Sequence, residues 1–381
     1  NTGLSSARAN LPNDVLNITI SDLQGAIRAE LIIDHNIGHV GTTNKKVRFN
    51  GNAWINMPEL GAGNGIPAGH DGQCYCQQFN PTIQIPLSHL IQGNNLFQGT
   101  SGPQSCYNFG WGLWAWFEVM VRVYYGPGKA HPTGSITSPG NGATIGENPT
   151  IAATASGDAV QVDFLGYYDG YDADGDGVSQ QYHYNYHRQK SETAMLMKGH
   201  IGTDVSSPFS VQWNTDLVPN QGAGSVKLIA RIKGSNGVWF VTNAVTGLTL
   251  NRGSSYVRIY RAYDMHERFW VRAGSGRSPQ SVHFAIPSGD NLANATSVKF
   301  VVSTMDGDHV AERANYSMKI NTYTLPYFGQ DHWYSLDALT IPKSALIQGT
   351  NTFTVASTTV HHGIEILWPG PALVVRFSGN P

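Results

Sequence analysis

Two segments far apart in the chain read almost alike. Ile85–Gln98 is IPLSHLIQGNNLFQ and Ile341–Thr354 is IPKSALIQGTNTFT; Ile, Pro, Ser, Leu, Ile, Gln, Gly, Asn and Phe coincide at nine of fourteen positions. A phrase written twice predicts a unit folded twice, with something else between the copies. The likeness extends outward. His39-Val40 precedes Val47-Arg48-Phe49-Asn50, as His309-Val310 precedes Met318-Lys319-Ile320-Asn321, and each half closes on an apolar run holding an arginine, Val121-Arg122-Val123 and Val375-Arg376-Phe377.

The repeated unit is built of strands. Short β-rich runs such as Ala29–Ile33, Thr82–Ile85, Phe117–Tyr125, Val226–Ile232 and Ala372–Phe377 alternate with Gly, Asn and Pro clusters, and no long run has helical periodicity. The 43 Gly and 19 Pro supply the turns that short strands need. A Pro/Gly/Ser stretch, Gly126–Gly142, and a second break near Asn251–Ser254 divide the chain into residues 1–128, 133–251 and 252–381. The middle piece has the size of an ordinary sandwich. The expectation is an all-β chain of three β-sandwich domains, the first and third related.

The phrase VRFNG at Val47–Gly51 and the repeated IP…L…GxNxF segment resemble galactose-binding-like jelly rolls, the sandwich of many carbohydrate-binding modules. The resemblance implies a jelly-roll fold for the first and third domains and carries no catalytic signature. Gly134–Thr144, GSITSPGNGAT, resembles the opening of bacterial immunoglobulin-like modules, although the middle domain lacks the cysteine pair of antibody domains.

Several residue groups carry candidate chemistry. Asp172, Asp174 and Asp176 alternate, with glycine at the sixth position of the loop, which is the first half of a calcium loop: three hard oxygen donors can converge on one cation and glycine permits the turn. Asp169 and the Val178 carbonyl are candidate further ligands. Position twelve is His183 rather than Glu, so a solvated acidic turn is the alternative. The calcium would be structural.

Trp111, Trp114, Trp116, Trp368 and His362 are the candidate ligand-binding residues, because aromatic rings stack on the apolar faces of sugars; tryptophan also fills cores. Tyr182–His187 alternates tyrosine with His or Asn, which reads as an aromatic platform, a two-histidine metal site or a half-buried strand. Asp306, Asp308, His309 and Glu312, with His361, His362 and Glu365, are candidates for the acid/base pair of a glycoside hydrolase.

The three cysteines, Cys74, Cys76 and Cys106, allow one disulfide from Cys106 to Cys74 or Cys76, or a zinc site shared with His70. Sequons at Asn17, Asn294 and Asn315 mark candidate glycosylation.

Charged residues make up 13% of the chain, about half the usual share, and the net charge of −2 gives no electrostatic case for nucleic acid. No apolar run reaches membrane-spanning length. The start at Asn1 reads as the mature end left by signal removal. The polar segment Asn1–Asp14 has Leu4 and Leu11 as its anchors and is a candidate arm for docking on a neighbouring subunit. The favoured expectation is a secreted, non-catalytic protein, extracellular or at the cell surface, whose partner is a glycan or polysaccharide. The alternatives are a self-assembling subunit of a filament or matrix, and a polysaccharide-degrading enzyme.

Overall fold

A computed structural model describes residues 15–107, 112–182, 186–187, 196–197 and 199–380. The segment Asn1–Asp14 and Trp111 lie outside the described residues. The chain is all-β, with strands interrupted only by short 3₁₀ turns. The strands form three successive pairs of sheets, each pair closing on its own apolar centre.

In the first pair, the sheet Leu16–Ile20, Gly93–Thr100, Lys46–Phe49 and Ile55–Asn56 packs on a sheet centred on Ala26–Asn36. Ala26–Asn36 pairs antiparallel with Thr82–Ile85 on one edge and Ala115–Tyr125 on the other. Ala29, Leu31 and Ile33 point inward on a strict period of two and meet Val47, Phe49, Ile85 and Phe97 in the core. The third pair repeats this plan. Gln280–Ile286, Gly349–Ser357, Tyr316–Ile320 and Tyr323–Thr324 form one sheet, and Ala295–Met305 lies between Tyr334–Thr340 and Ala372–Ser378 in the other. An added strand, Ser255–Arg261, pairs with Ala372–Ser378 and has no counterpart among the described residues of the first pair.

The repeated phrase has the same job in both units. Asn95 is fully buried; its amide donates to the carbonyls of Ile91 and Gly93, and its carbonyl accepts from the Ile91 amide and from Asn50 Nδ2. Asn351 makes the corresponding bonds to Ile347, Gly349 and Asn321. Asn50 and Asn321 both sit at left-handed φ, 52° and 53°, where asparagine is one of the few side chains tolerated. Gly93 and Gly349, at φ 105° and 95°, start the strands that follow. The two closing arginines differ in place. Val123 faces Ala29, the neighbour of Ile85, and Val375 faces Val298, the neighbour of Ile341. Arg122 therefore matches Val374, and Arg376 stands two residues further along.

The middle pair holds Thr144–Ile145, Val245–Leu250, Val226–Gly234, Ala159–Tyr167 and His200–Asp204 in one sheet and Phe209–Gln212, Thr150–Ala155 and Gly134–Ser138 in the other. Phe164, Trp213, Leu228 and Ile232 fill the space between them. A short pairing of Tyr186–His187 with Leu196–Met197 lies outside both sheets.

The three pairs touch. Leu60, Ile66, Tyr75 and Phe79, all from the first third of the chain, are buried in the core of the third pair. The hydroxyl of Tyr334 donates to the buried Asp34 carboxylate at 2.7 Å. Arg376 and Arg252 converge on Glu147, which ties the middle pair to the third. Cys74 and Cys106 form a disulfide with Cα atoms 5.6 Å apart. Cys76 is buried and unbonded. The sequence-level option of a zinc site is overturned: two of its thiols are consumed in the disulfide, and His70 pairs instead with Glu267 at 3.0 Å.

Candidate functional site

Between the outer face of the first sheet pair and a loop of the middle pair lies an open cleft of about 540 Å³, within the size range of ligand sites. Its floor follows from strand alternation. The residues on either side of inward-facing Ala29 point out, so Arg28 and Glu30 stand opposite Tyr124 and Arg122 on the neighbouring strand. Glu30 is the hub: Arg28 Nη1 lies 2.9 Å and Arg122 Nη1 3.6 Å from its carboxylate, and the Tyr124 hydroxyl donates to it at 2.7 Å. The Arg28 guanidinium also covers the Tyr124 ring, 3.8 Å from its centre. Asn80, Pro81 and Thr82 form one side, and Asp174, Asp176, Gln181 and Tyr182 form the far wall.

That wall is the aspartate loop. Asp172, Asp174 and Asp176 each place a carboxylate oxygen within 4.8 Å of the other two. Asp172 is 6% and Asp174 2% exposed. The Gly177 amide donates to Asp172 at 3.0 Å and the Val178 amide to Asp176 at 2.9 Å. Gly177 is required twice over: its φ is 79°, and a Cβ there would stand 2.5 Å from the Asn64 backbone. Burial pushes the Asp176 carboxyl above the usual range, with Asp172 adding repulsion. Three acids gathered this closely and shielded from water repel one another, a cost that a bound cation removes. The donor set is all oxygen and suits a hard ion such as calcium.

Of the other candidate ligands of this loop, Asp169 pairs with Arg261 at 3.1 Å, and the Val178 carbonyl accepts from the Gln181 amide that also bonds Asp176.

Trp114, Trp116 and Trp368 are not among the residues that line the cleft. Trp368 is 7% exposed and packs on Tyr75 in the core of the third pair. It also supports the aspartate loop from beneath, since a Cβ on Gly175 would meet its ring at 2.8 Å. Trp114 and Trp116 pack on each other, centres 5.1 Å apart, and against the first core. Trp116 lies so close to Gly99 that a Cβ there would stand 2.1 Å from the indole. Trp368 is thus buried in packing, whereas Trp114 and Trp116 are half-buried against the first core and are not among the residues that line the cleft.

Of Tyr182–His187, only Tyr182 has a described side chain; its ring lies 5.3 Å from Tyr167. Asn17, Asn294 and Asn315 are exposed.

Three of the candidate acid/base residues are held by structural contacts. Asp308 is held by Arg313 and the Tyr316 hydroxyl, and the Arg313 pairing keeps its carboxyl below the usual range. Glu312 accepts from the Val360 and His361 amides, which lowers its pKa in the same way. Glu365 is half-buried beside Cys76, with one carboxylate oxygen sealed from solvent, and loss of water raises its pKa to about 8. His362 stands apart from the cleft, beside His332 and His361. The cleft residues Arg28, Glu30, Arg122 and Tyr124 were missed from sequence because outward positions on a strand look like any solvated face.

Residues 132–230 match the bacterial Ig domain. The match covers the middle sheet pair up to the strand Val226–Gly234. No protein with a curated description matches the chain by sequence. Among solved structures, it is similar to a beta-porphyranase of glycoside hydrolase family 86 from the human gut bacterium Bacteroides plebeius, at 10% identity over 72% of this chain and 43% of that one, with a TM-score of 0.25. It is also similar to the Bacteroides ovatus mixed-linkage glucan protein SGBP-B in complex with a heptasaccharide, at 10% identity over 96% of this chain and 70% of that one, with a TM-score of 0.13. A third similarity is to the T13 viral particle of IBDV, at 8% identity over 97% and 71%, with a TM-score of 0.19. The chain spans less than half of the porphyranase's length. Scores of this size assign neither family nor function. Among the described residues no helix is long and apolar enough to cross a membrane.

Proposed function

We propose that this is an extracellular, non-catalytic glycan-binding protein, with galactose-binding-like jelly rolls flanking the Ig-like unit. Its saccharide site is the cleft between the first sandwich and the aspartate loop. The observation that carries this reading is the cleft's lining. Planar guanidinium and carboxylate groups of Arg28, Glu30, Arg122, Asp174 and Asp176 face a hollow that also holds the Tyr124 and Tyr182 side chains. Sugars present adjacent hydroxyls, which such forked groups bond in pairs, and tyrosine adds an apolar surface with a polar tip. Calcium at Asp172, Asp174 and Asp176 holds the far wall in place. The disulfide Cys74–Cys106 fits an oxidising, extracytoplasmic setting.

Calorimetric titration of the chain against soluble neutral and anionic oligosaccharides tests the assignment. At least one is expected to bind in the micromolar to millimolar range. Arg122→Ala is expected to weaken it at least tenfold with folding unchanged. Absence of binding across both classes, or binding indifferent to Arg122→Ala and Tyr182→Ala, removes the cleft from consideration.

A further inference from the structure

We propose that one loop end of the third sandwich is a site for a divalent transition ion of the zinc class. The imidazoles of His332, His361 and His362 hold it, with a neighbouring aspartate completing the shell. Each of the three histidines offers a ring nitrogen within 4.8 Å of the others. Nitrogens about 2.0–2.1 Å from a tetrahedral zinc stand about 3.3 Å apart, so only small side-chain shifts separate this cluster from a metal shell. His362 Nε2 and His332 Nε2 are already 2.6 Å apart. Two imidazole nitrogens approach this closely only with a proton or a cation between their lone pairs.

The surroundings point the same way. His332 Nδ1 lies 3.0 Å from the Asp331 carboxylate, and the Asp306 carboxylate accepts from the His332 amide at 2.6 Å. Asp306, Asp331 and His332 also bring ligand atoms within 4.8 Å of one another, a second group that shares His332 with the histidine trio. His309 is 3% exposed, its Nδ1 lies 3.5 Å from the Asp331 carboxylate, its Nε2 has no hydrogen-bond partner, and its ring centre lies 6.1 and 6.3 Å from those of His361 and His362. A buried imidazole nitrogen without a partner beside three other imidazoles is hard to explain by packing, and a metal ion or its bound water supplies the missing partner.

The ligand segments are also braced. Glu312 accepts the amides of Val360 and His361, and the hydroxyl of Thr359 donates to the His362 carbonyl at 2.7 Å. His332 and Asp306 hold left-handed φ values of 60° and 53°, a strained backbone kept by its neighbours. Braced ligands and strained loops are what a preformed metal site requires. Imidazole selects zinc, copper or nickel over calcium, so this site is distinct in chemistry from the aspartate loop.

The test is calorimetric titration of tag-free, chelator-stripped chain with zinc chloride, alongside the visible spectrum with cobalt(II). We expect saturable zinc binding with a micromolar or lower Kd, and intense visible cobalt bands of a four-coordinate, nitrogen-ligated ion. His332→Ala and the double variant His361→Ala/His362→Ala should each weaken zinc at least tenfold, while Asp174→Asn leaves it unchanged. Zinc binding that is absent, that survives the histidine substitutions, or that vanishes with Asp174→Asn overturns the proposal. If a histidine variant fails to fold, the wild-type cobalt spectrum decides, and lack of those bands overturns it equally.

Discussion

Asn95 and Asn351 show how much one side chain can specify. Each is fully buried, and each satisfies three backbone groups of its turn. Asn351→Ala removes the acceptor of the Ile347 amide and one of the bonds of Asn321, which keeps those to Ala345 and Thr352, and a buried unpaired group costs about 1–3 kcal/mol. Urea denaturation is expected to show a loss of that size for Asn351→Ala and a comparable one for Asn95→Ala. A negligible effect at either position would deny the equivalence of the two turns. Glu365 gives the residue-scale pH prediction. Burial raises its pKa from 4.5 to about 8, so the folded chain holds a proton that the unfolded chain gives up. Its contribution to stability is intact below pH 4.5 and is lost as pH rises through about 8. Glu365→Gln keeps the neutral shape without the titration. The stability of the native chain relative to this variant should fall between pH 5 and pH 9, read as Tm by calorimetry; a flat difference would show that the carboxyl reaches water.

At the scale of elements, the sequence was legible where the chemistry is local. The repeat could be read because its turn needs asparagine and glycine at set positions, and strand pairing then follows from alternation. The aspartate loop could be read because its three carboxylates are two residues apart. Spacing did not reveal that Asp169 faces Arg261, which is 92 residues away. Nor did it reveal the histidine cluster, since His332 and His361 come together only when two loops of the third sandwich fold against each other. The tryptophans are ambiguous in sequence because an indole suits a sugar and a core alike, and the close approach of Gly175 to Trp368 and of Gly99 to Trp116 shows packing that spacing does not reveal. The loop's prediction is thermodynamic. A ligand that binds only the folded state stabilises it by RT ln(1 + [L]/Kd), about 2.7 kcal/mol at a hundredfold excess over Kd. Millimolar calcium should therefore raise the Tm by several degrees over chelator-treated protein, and Asp172→Asn/Asp174→Asn should abolish the rise. An equal Tm with and without calcium leaves the loop as a polar turn.

Across the whole molecule, the three sheet pairs are not equally independent. Leu60, Ile66, Tyr75 and Phe79 leave the first pair and complete the core of the third, and Tyr75 is fully buried there. The polypeptide around Cys74 is pinned at that place by backbone bonds from Arg268 to Cys74 and from Trp368 to Cys76, both 2.7 Å. The first and third pairs thus share apolar contacts that neither can replace with water cheaply. The middle pair meets them chiefly through polar contacts, Arg376 and Arg252 to Glu147 and Asn64 to the Asp176 carbonyl, with Tyr171 as its apolar link to Val257, Val301 and Val374. The Arg376–Glu147 pair is partly exposed and contributes about 0–1 kcal/mol, although the Arg252 side chain beside it is buried. Heating should then give two calorimetric transitions, one for the first and third pairs together and one for the middle pair. Truncating Tyr75 to alanine removes a buried aromatic, a change that costs about 3–5 kcal/mol. It should lower the shared transition and leave the other in place. If Tyr75→Ala instead splits the shared transition while the third pair keeps its melting temperature, the core of the third pair closes without that loop. If both transitions move together, the polar contacts of Glu147 couple the units more tightly than their exposure implies.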